Sequence, residues 1–285
     1  MDGEVLDTIL RVSLLVFVLS SMLAMGLSLT VAQIIEPLRS IRLVAIALAL
    51  NFLVVPALGW GIGQMLSLDE GLATGLVIMA AAAGAPFLPK LAGAANGDMA
   101  FSVGLMVLLM VVTVAYMPII LPLLIDGVEV KPWDIASSLV FLMLLPLAIG
   151  LLVRARYREI AAGLQPLMTQ ASTVAIGLLL VAGIVVNFDD IVDLVGTGGF
   201  VAMVLFLGAS LAIGYLAGGT DPGIRSVLGL GTAQRNLSAA LVVAGQNFAD
   251  TPGVLTFILV AGIVGLALLL PAAGELGKRA TPAGP

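Results

Sequence analysis

Residues 84–90 read Gly84-Ala85-Pro86-Phe87-Leu88-Pro89-Lys90 and stand inside an apolar run that covers 70–96. Each proline lacks a backbone donor, and its ring collides with the carbonyl four residues earlier, so a helix cannot continue through this stretch. Backbone groups freed inside a bilayer are tolerated only where protein buries them or a wet cavity solvates them. Lys90 adds a charge at the same depth, which costs a few kcal/mol in hydrocarbon unless it faces a polar interior. One other cation is buried this way in the sequence. Arg235 follows Gly229-Leu230-Gly231-Thr232-Ala233-Gln234 and precedes Asn236 in the run 222–248. Its glycines weaken the helix and its polar side chains can satisfy freed backbone groups, which predicts a second break.

Around these two points the chain reads as a membrane protein. Of 285 residues, 61% are apolar and 10% charged, and the mean hydropathy is +1.20. A soluble domain carries about 25% charged residues, so the solvent for this surface is lipid. With no His and no Cys, disulfides, thiolate nucleophiles, Ser-His-Asp catalysis and the usual zinc, haem and iron-sulfur ligations are excluded. A net charge of −5 without a basic arm argues against nucleic acid, whose affinity rests on Lys and Arg reaching phosphates. Asp2, Glu4 and Asp7 stand where a secretory signal carries positive charge, so the first apolar run is read as a retained helix.

A spanning helix needs roughly 20 mostly apolar residues. Nine runs meet this: 6–33, 40–66, 70–96, 98–125, 132–154, 160–187, 191–217, 222–248 and 252–276. All 17 carboxylates fall between runs or at their ends. Arg11 and Lys131 lie on one side, while Arg39, Arg42, Arg154, Arg156, Arg158, Arg225, Lys278 and Arg279 lie on the other. The positive-inside rule puts the second group in the cytoplasm, with the amino terminus outside and the carboxyl terminus inside. The outer connections are acidic, with Asp69, Glu70, Asp189, Asp190 and Asp193. The third and eighth runs are five spans apart, so they cross in opposite directions. This is the footprint of an inverted repeat in which two interrupted helices meet near the midplane. Pro89-Lys90-Leu91-Ala92-Gly93-Ala94-Ala95 and Gln234-Arg235-Asn236-Leu237-Ser238-Ala239-Ala240 echo each other locally.

The same residues resemble the bile acid:sodium symporter family, within the wider group of bile acid, arsenite, riboflavin and auxin carriers. The resemblance runs through Met25-Gly26-Leu27-Ser28-Leu29, Asn51 with Pro56, the first break with Asn96-Gly97-Asp98-Met99-Ala100-Phe101-Ser102, Pro118 and Pro122, and Gln234 to Leu241. It implies an all-α, nine-span transporter with two crossed broken helices. A panel (6–33, 132–187) would rock against a core (40–125, 191–276). It also implies two sodium sites in coupled members, and here the chain departs. The expected Ser-Asn pair reads Leu88 and Pro89, the expected Thr reads Met106, the Glu reads Gly231 and the Gln of the second break reads Arg235. Ser102 matches, Asn51 is a shorter amide in place of Gln, and Asn236 keeps the family's amide.

Lys90 and Arg235 are therefore expected to supply, covalently, the charge that bound sodium supplies elsewhere, so that no cofactor is needed and sodium coupling is altered or absent. Proton coupling through Lys90 is a further option. The plainer alternative is that each cation only donates to carbonyls freed at the breaks. Asn51, Ser102, Asn236, Gln234 and Ser238 complete the candidate binding set, with interhelical hydrogen bonding as the bland reading. Pro86, Pro89, Gly84 and Gly231 are the candidate helix breakers. Thr169, Gln170, Ser172 and Thr173 either line a cytoplasmic vestibule or bond back to their own helix. The glycines at 196–199 fit close helix packing, and the twelve Met residues are core filler.

Two buried cations and no deep carboxylate make a small-molecule organic anion the expected cargo, bile-acid-like or another hydrophobic carboxylate. The expected setting is a bacterial-type inner membrane. Arsenite-type efflux and a non-transporting membrane sensor are the alternatives, the former without the cysteine that branch would use. No deep acid, base or strong nucleophile other than Lys90 offers itself to an enzyme. The sequence is silent on oligomeric state.

Overall fold

Prolines and helix caps explain most of the architecture seen in the computed structural model, which describes residues 3–35, 39–125, 132–186, 194, 196–251 and 253–280. Among these residues there is no strand, and the helices run as α1 (Gly3–Ser28), α2 (Val31–Ile35), α3 (Ile41–Met65), α4 (Glu70–Ala81), α5 (Leu88–Ala94), α6 (Met99–Leu124), α7 (Pro132–Arg156), α8 (Arg158–Val186), α9 (Gly199–Ala217), α10 (Pro222–Ala233), α11 (Leu237–Asn247) and α12 (Val254–Ala280). Six helices are long and apolar enough to cross a membrane: α3, α6, α7 and α9, with Thr8–Ser28 of α1 and Val254–Arg279 of α12. The runs at 70–96 and 222–248 are each divided into two helices, α4 with α5 and α10 with α11. The connection residues Glu36, Lys131, Asp189, Asp190 and Asp193 lie outside the described residues.

Carboxylates sit where a helix begins. Asp69, Asp98 and Asp221 accept from the backbone N–H of Leu72 (3.0 Å), Phe101 (2.9 Å) and Ile224 (2.8 Å), capping α4, α6 and α10. Each satisfies an orphan donor and complements the positive helix end. This is why the acidic residues gather at the ends of apolar runs.

Two prolines deform a helix without breaking it. Pro56 and Pro146 each follow a π-helical turn, Leu50–Val54 in α3 and Val140–Leu144 in α7. The wider turn absorbs the proline ring, a device the hydropathy pattern does not reveal. Pro56 also leaves the Phe52 carbonyl without its helical donor, and the Tyr116 hydroxyl of α6 donates to it at 2.6 Å.

Packing sorts the helices. α1 lies against α7 and α8, with Gly26 and Gly150 so close that a Cβ on Gly150 would stand 2.7 Å from the Leu23 carbonyl oxygen. Of the two interrupted pairs, α4, α5 and α10 pack among α3, α6, α9 and α12, while α11 lies against α12 and α4 and also against α7 and α1. Gly214 of α9 meets α10, where a Cβ would stand 2.7 Å from the Leu228 carbonyl oxygen. The helices thus approach through small residues, as is usual in membranes.

Candidate functional site

The first break begins where α4 ends at Ala81, and residues 82–85 take no helical conformation. Gly84 turns the chain with φ +80°, pressed so closely on α6 that a Cβ would overlap the Met110 backbone. Only glycine accepts both conditions. Pro89 is placed in the first turn of α5, where its missing N–H costs nothing.

The freed carbonyls of this break have identifiable donors, as a buried backbone requires. The Asn236 N–H donates to Ala82 O at 2.8 Å, and the Asn236 side-chain amide donates to Gly84 O at 3.0 Å. The Asn236 Oδ1 in turn accepts from Ala239 N at 3.1 Å and caps α11. Thr113 of α6 serves Ala83 twice, accepting from its N–H at 3.0 Å and donating to its carbonyl at 3.1 Å. The carbonyls of Met79 and Ala80, at the end of α4, are taken by Arg235, whose Nε and Nη2 donate at 3.0 and 2.7 Å.

Arg235 therefore sits where two helix ends converge. Its Nη1 donates to Thr232 O, at the end of α10, at 3.1 Å and to Asn51 Oδ1 at 2.8 Å. Carbonyl-rich C-terminal ends carry partial negative charge, and one buried guanidinium with four hydrogen bonds neutralises both. Asn51 is held by its own Nδ2, which donates to Ala47 O at 3.0 Å and to Thr232 Oγ1 at 3.5 Å. The two breaks are thus joined directly, main chain and side chain together.

Beside this junction lies a cavity of about 600 Å³. One wall is made by the breaks and α6: Pro86, Phe87, Pro89, Lys90, Met106, Gln234, Arg235 and Ser238. The facing wall is made by α1 and α8, and α12 closes the side with Gly262, Gly265 and Leu266. No Asp or Glu is among the described residues that line it. Lys90 is exposed here, its Nζ 5.2 Å from the centre of the Phe87 ring. Ring and ammonium at that distance attract, and the Lys90 ammonium has no hydrogen bond or ion pair among the described residues. Gln234 is nine-tenths buried and its Oε1 has no partner among the described residues.

The expected site residues separate into two groups. Lys90, Arg235, Gln234 and Ser238 line the cavity, with Pro86 and Pro89. Asn51, Asn236 and Ser102 are fully buried and lie outside the lining; the Ser102 hydroxyl donates to Met99 O at 2.8 Å within its own helix. Gly231 is packed against Leu88, whose Cδ2 would lie 3.0 Å from a Cβ there. The α8 cluster shows both of its expected behaviours. Thr169, Ser172 and Thr173 face the cavity, and Thr169 and Thr173 also bond back to Gln165 O and Thr169 O. Gln170 does not line the cavity. The sequence reading did not single out Thr113, Tyr116, Gln165, Ser21 or Ser28. Their only signal is a lone polar group in an apolar run, which does not say which face it occupies.

Comparison with known proteins gives the family. A probable sodium/metabolite cotransporter of Arabidopsis thaliana, BASS3, chloroplastic, is 23% identical over 256 residues, covering 87% of this chain. The chain spans 59% of that relative's length. The sequence profile of the sodium bile acid symporter family matches residues 14–194, which include the first break, Asn51, Met106 and the α8 hydroxyls. With more than half of its length matched, the chain belongs to the sodium bile acid symporter family, whose members are membrane transporters.

Proposed function

We propose that the chain is a secondary carrier that moves an organic anion by alternating access and does so without sodium. The observation that carries this reading is the cavity wall that offers the Lys90 ammonium and the Arg235 guanidinium with no carboxylate beside them. The amino-terminal end of α11, at Leu237 and Ser238, borders the same space and also favours negative charge. A bile-acid-like or smaller carboxylate matches that field, and the apolar lining suits a hydrophobic tail.

Sodium independence is supported by what occupies the positions where the family is expected to hold sodium. Leu88 and Gly231 are in mutual apolar contact, and the guanidinium of Arg235 fills the space between the two helix ends. The relative is named for sodium/metabolite cotransport; the metabolite half of that name fits this cavity, and the sodium half is where the chain departs. Nine spans, an inverted repeat, a panel of α1, α7 and α8 and a core of the remaining helices complete the proposal. The amino terminus is outside a plasma membrane.

Counterflow in proteoliposomes tests it. Labelled cholate and short carboxylates are exchanged against the same internal anion in sodium and in potassium buffer. Equal exchange in both is expected. Exchange seen only with sodium overturns the coupling part, and failure of every anion to exchange overturns the carrier itself.

A further inference from the structure

The wall that faces the two cations has a polarity of its own. Ser21 of α1 donates its hydroxyl hydrogen to Val18 O at 2.9 Å, and Ser28 donates to Met25 O at 2.8 Å. On α8, Thr169 donates to Gln165 O at 3.0 Å and Thr173 to Thr169 O at 2.8 Å. All four line the cavity. A hydroxyl has one hydrogen and two lone pairs, so with the hydrogen spent on the helix, lone pairs remain for a ligand. Gln165 Nε2 donates to Thr169 Oγ1 at 3.1 Å, which leaves the Gln165 amide oxygen as one more acceptor. Ammonium and guanidinium groups only donate. Both cations thus lie on the side of the breaks, where Gln234 Oε1 is an acceptor as well, and the four hydroxyl acceptors lie on α1 and α8.

We propose that Thr169 and Thr173 of α8, with Ser21 and Ser28 of the adjoining α1, read a hydrogen-bond donor on the transported anion, so that the carrier prefers hydroxylated carboxylates to matched carboxylates without a hydroxyl. This rests on the anion reading above and adds the residues that set specificity. A carboxylate with a bare hydrocarbon tail satisfies one wall and strips water from the lone pairs of the other. A hydroxyl on the tail donates to those lone pairs and recovers what was lost. Polar groups left unpaired on binding are what let a site reject an analogue lacking the matching group.

The test is competition binding on the purified full-length chain, with cholate against cholanate and 3-hydroxybutyrate against butyrate. The hydroxylated member of each pair is expected to bind about tenfold more tightly. In the Thr169→Val, Thr173→Val double variant the ratio is expected to fall to about twofold, the unhydroxylated member binding more tightly because no threonine lone pairs are left to desolvate, and that binding also reports a folded cavity. Equal affinities in the wild type overturn the proposal, as does an undiminished ratio in a double variant that still binds cholanate. Should the double variant not fold, the wild-type ratio decides alone. Absence of binding by every carboxylate would instead remove the anion reading, and this inference with it.

Discussion

Arg235 and Lys90 carry the same charge and stand on the same cavity, yet their surroundings assign them different work. Arg235 spends four hydrogen bonds on protein acceptors, while the Lys90 ammonium stands over the Phe87 ring with no hydrogen bond or ion pair among the described residues. Arg235→Met leaves Ala80 O and Asn51 Oδ1 without a donor, while Met79 O keeps the Ala82 N–H, and is expected to cost about 2–6 kcal/mol, from about 1–3 kcal/mol for each buried group left unpaired. A lowered Tm in detergent would register it. Lys90→Met is expected to leave Tm within the range of a surface change, about 0.5 kcal/mol, while weakening carboxylate binding at least tenfold by titration. A large Tm loss at Lys90, or none at Arg235, would contradict this division. The depth of both cations was legible in the sequence, because charge in an apolar run stands out. Which one is pinned was not, since the carbonyls that hold Arg235 lie some 155 residues away in the chain. Ser102 illustrates the same limit: its type suggested a ligand, and its rotamer turns it onto its own helix.

At the level of the elements, the breaks depend on backbone shape as much as on side chains. Gly84 combines a positive φ with contact against the Met110 backbone. Gly84→Ala is expected to cost more than about 3 kcal/mol, since strain of about 1–3 kcal/mol at such a φ adds to a steric clash. Gly208→Ala, whose Cβ meets nothing within 4 Å in the middle of α9, is expected to be neutral or stabilising by up to about 1 kcal/mol. Thermal unfolding of the two variants in the same detergent checks the contrast. Tyr116→Phe removes the donor that replaces the one Pro56 abolished, and a loss of about 1–2 kcal/mol is expected. The first break was readable because Pro86 and Pro89 stand with Gly84 and Lys90 in one short stretch, whereas Pro118, Pro122, Pro166 and Pro271 lie inside unbroken helices. The second was readable only in outline: glycines at 229 and 231 lower helix propensity, but the chain departs from the helix at Gln234, where Asn236 begins to cap α11. The π turns before Pro56 and Pro146 left no mark in the hydropathy, because a proline in an apolar run is equally compatible with a kink, a break or a wider turn.

For the whole molecule, the lining of the cavity runs from the depth of the two breaks toward the side at which α1 ends and α8 begins. On the orientation proposed above, that side is the cytoplasmic one, and the cavity is expected to be reached from there. The absence of cysteine makes this directly testable. A single cysteine at Thr173 or Ser238 is expected to react with a membrane-impermeant thiol reagent in inside-out vesicles and to be protected by a bound carboxylate. Labelling from the opposite face alone, in right-side-out vesicles, would reverse the orientation. A charge that is part of the polypeptide has a thermodynamic consequence of its own. Each time the guanidinium of residue 235 is carried through a cycle it must come back, so no energy can be harvested from its passage. Unless a proton travels with the cargo, the carrier can then only level the electrochemical potential of its cargo across the bilayer or trade one cargo molecule for another. Net accumulation then depends on whatever consumes the anion once it has arrived.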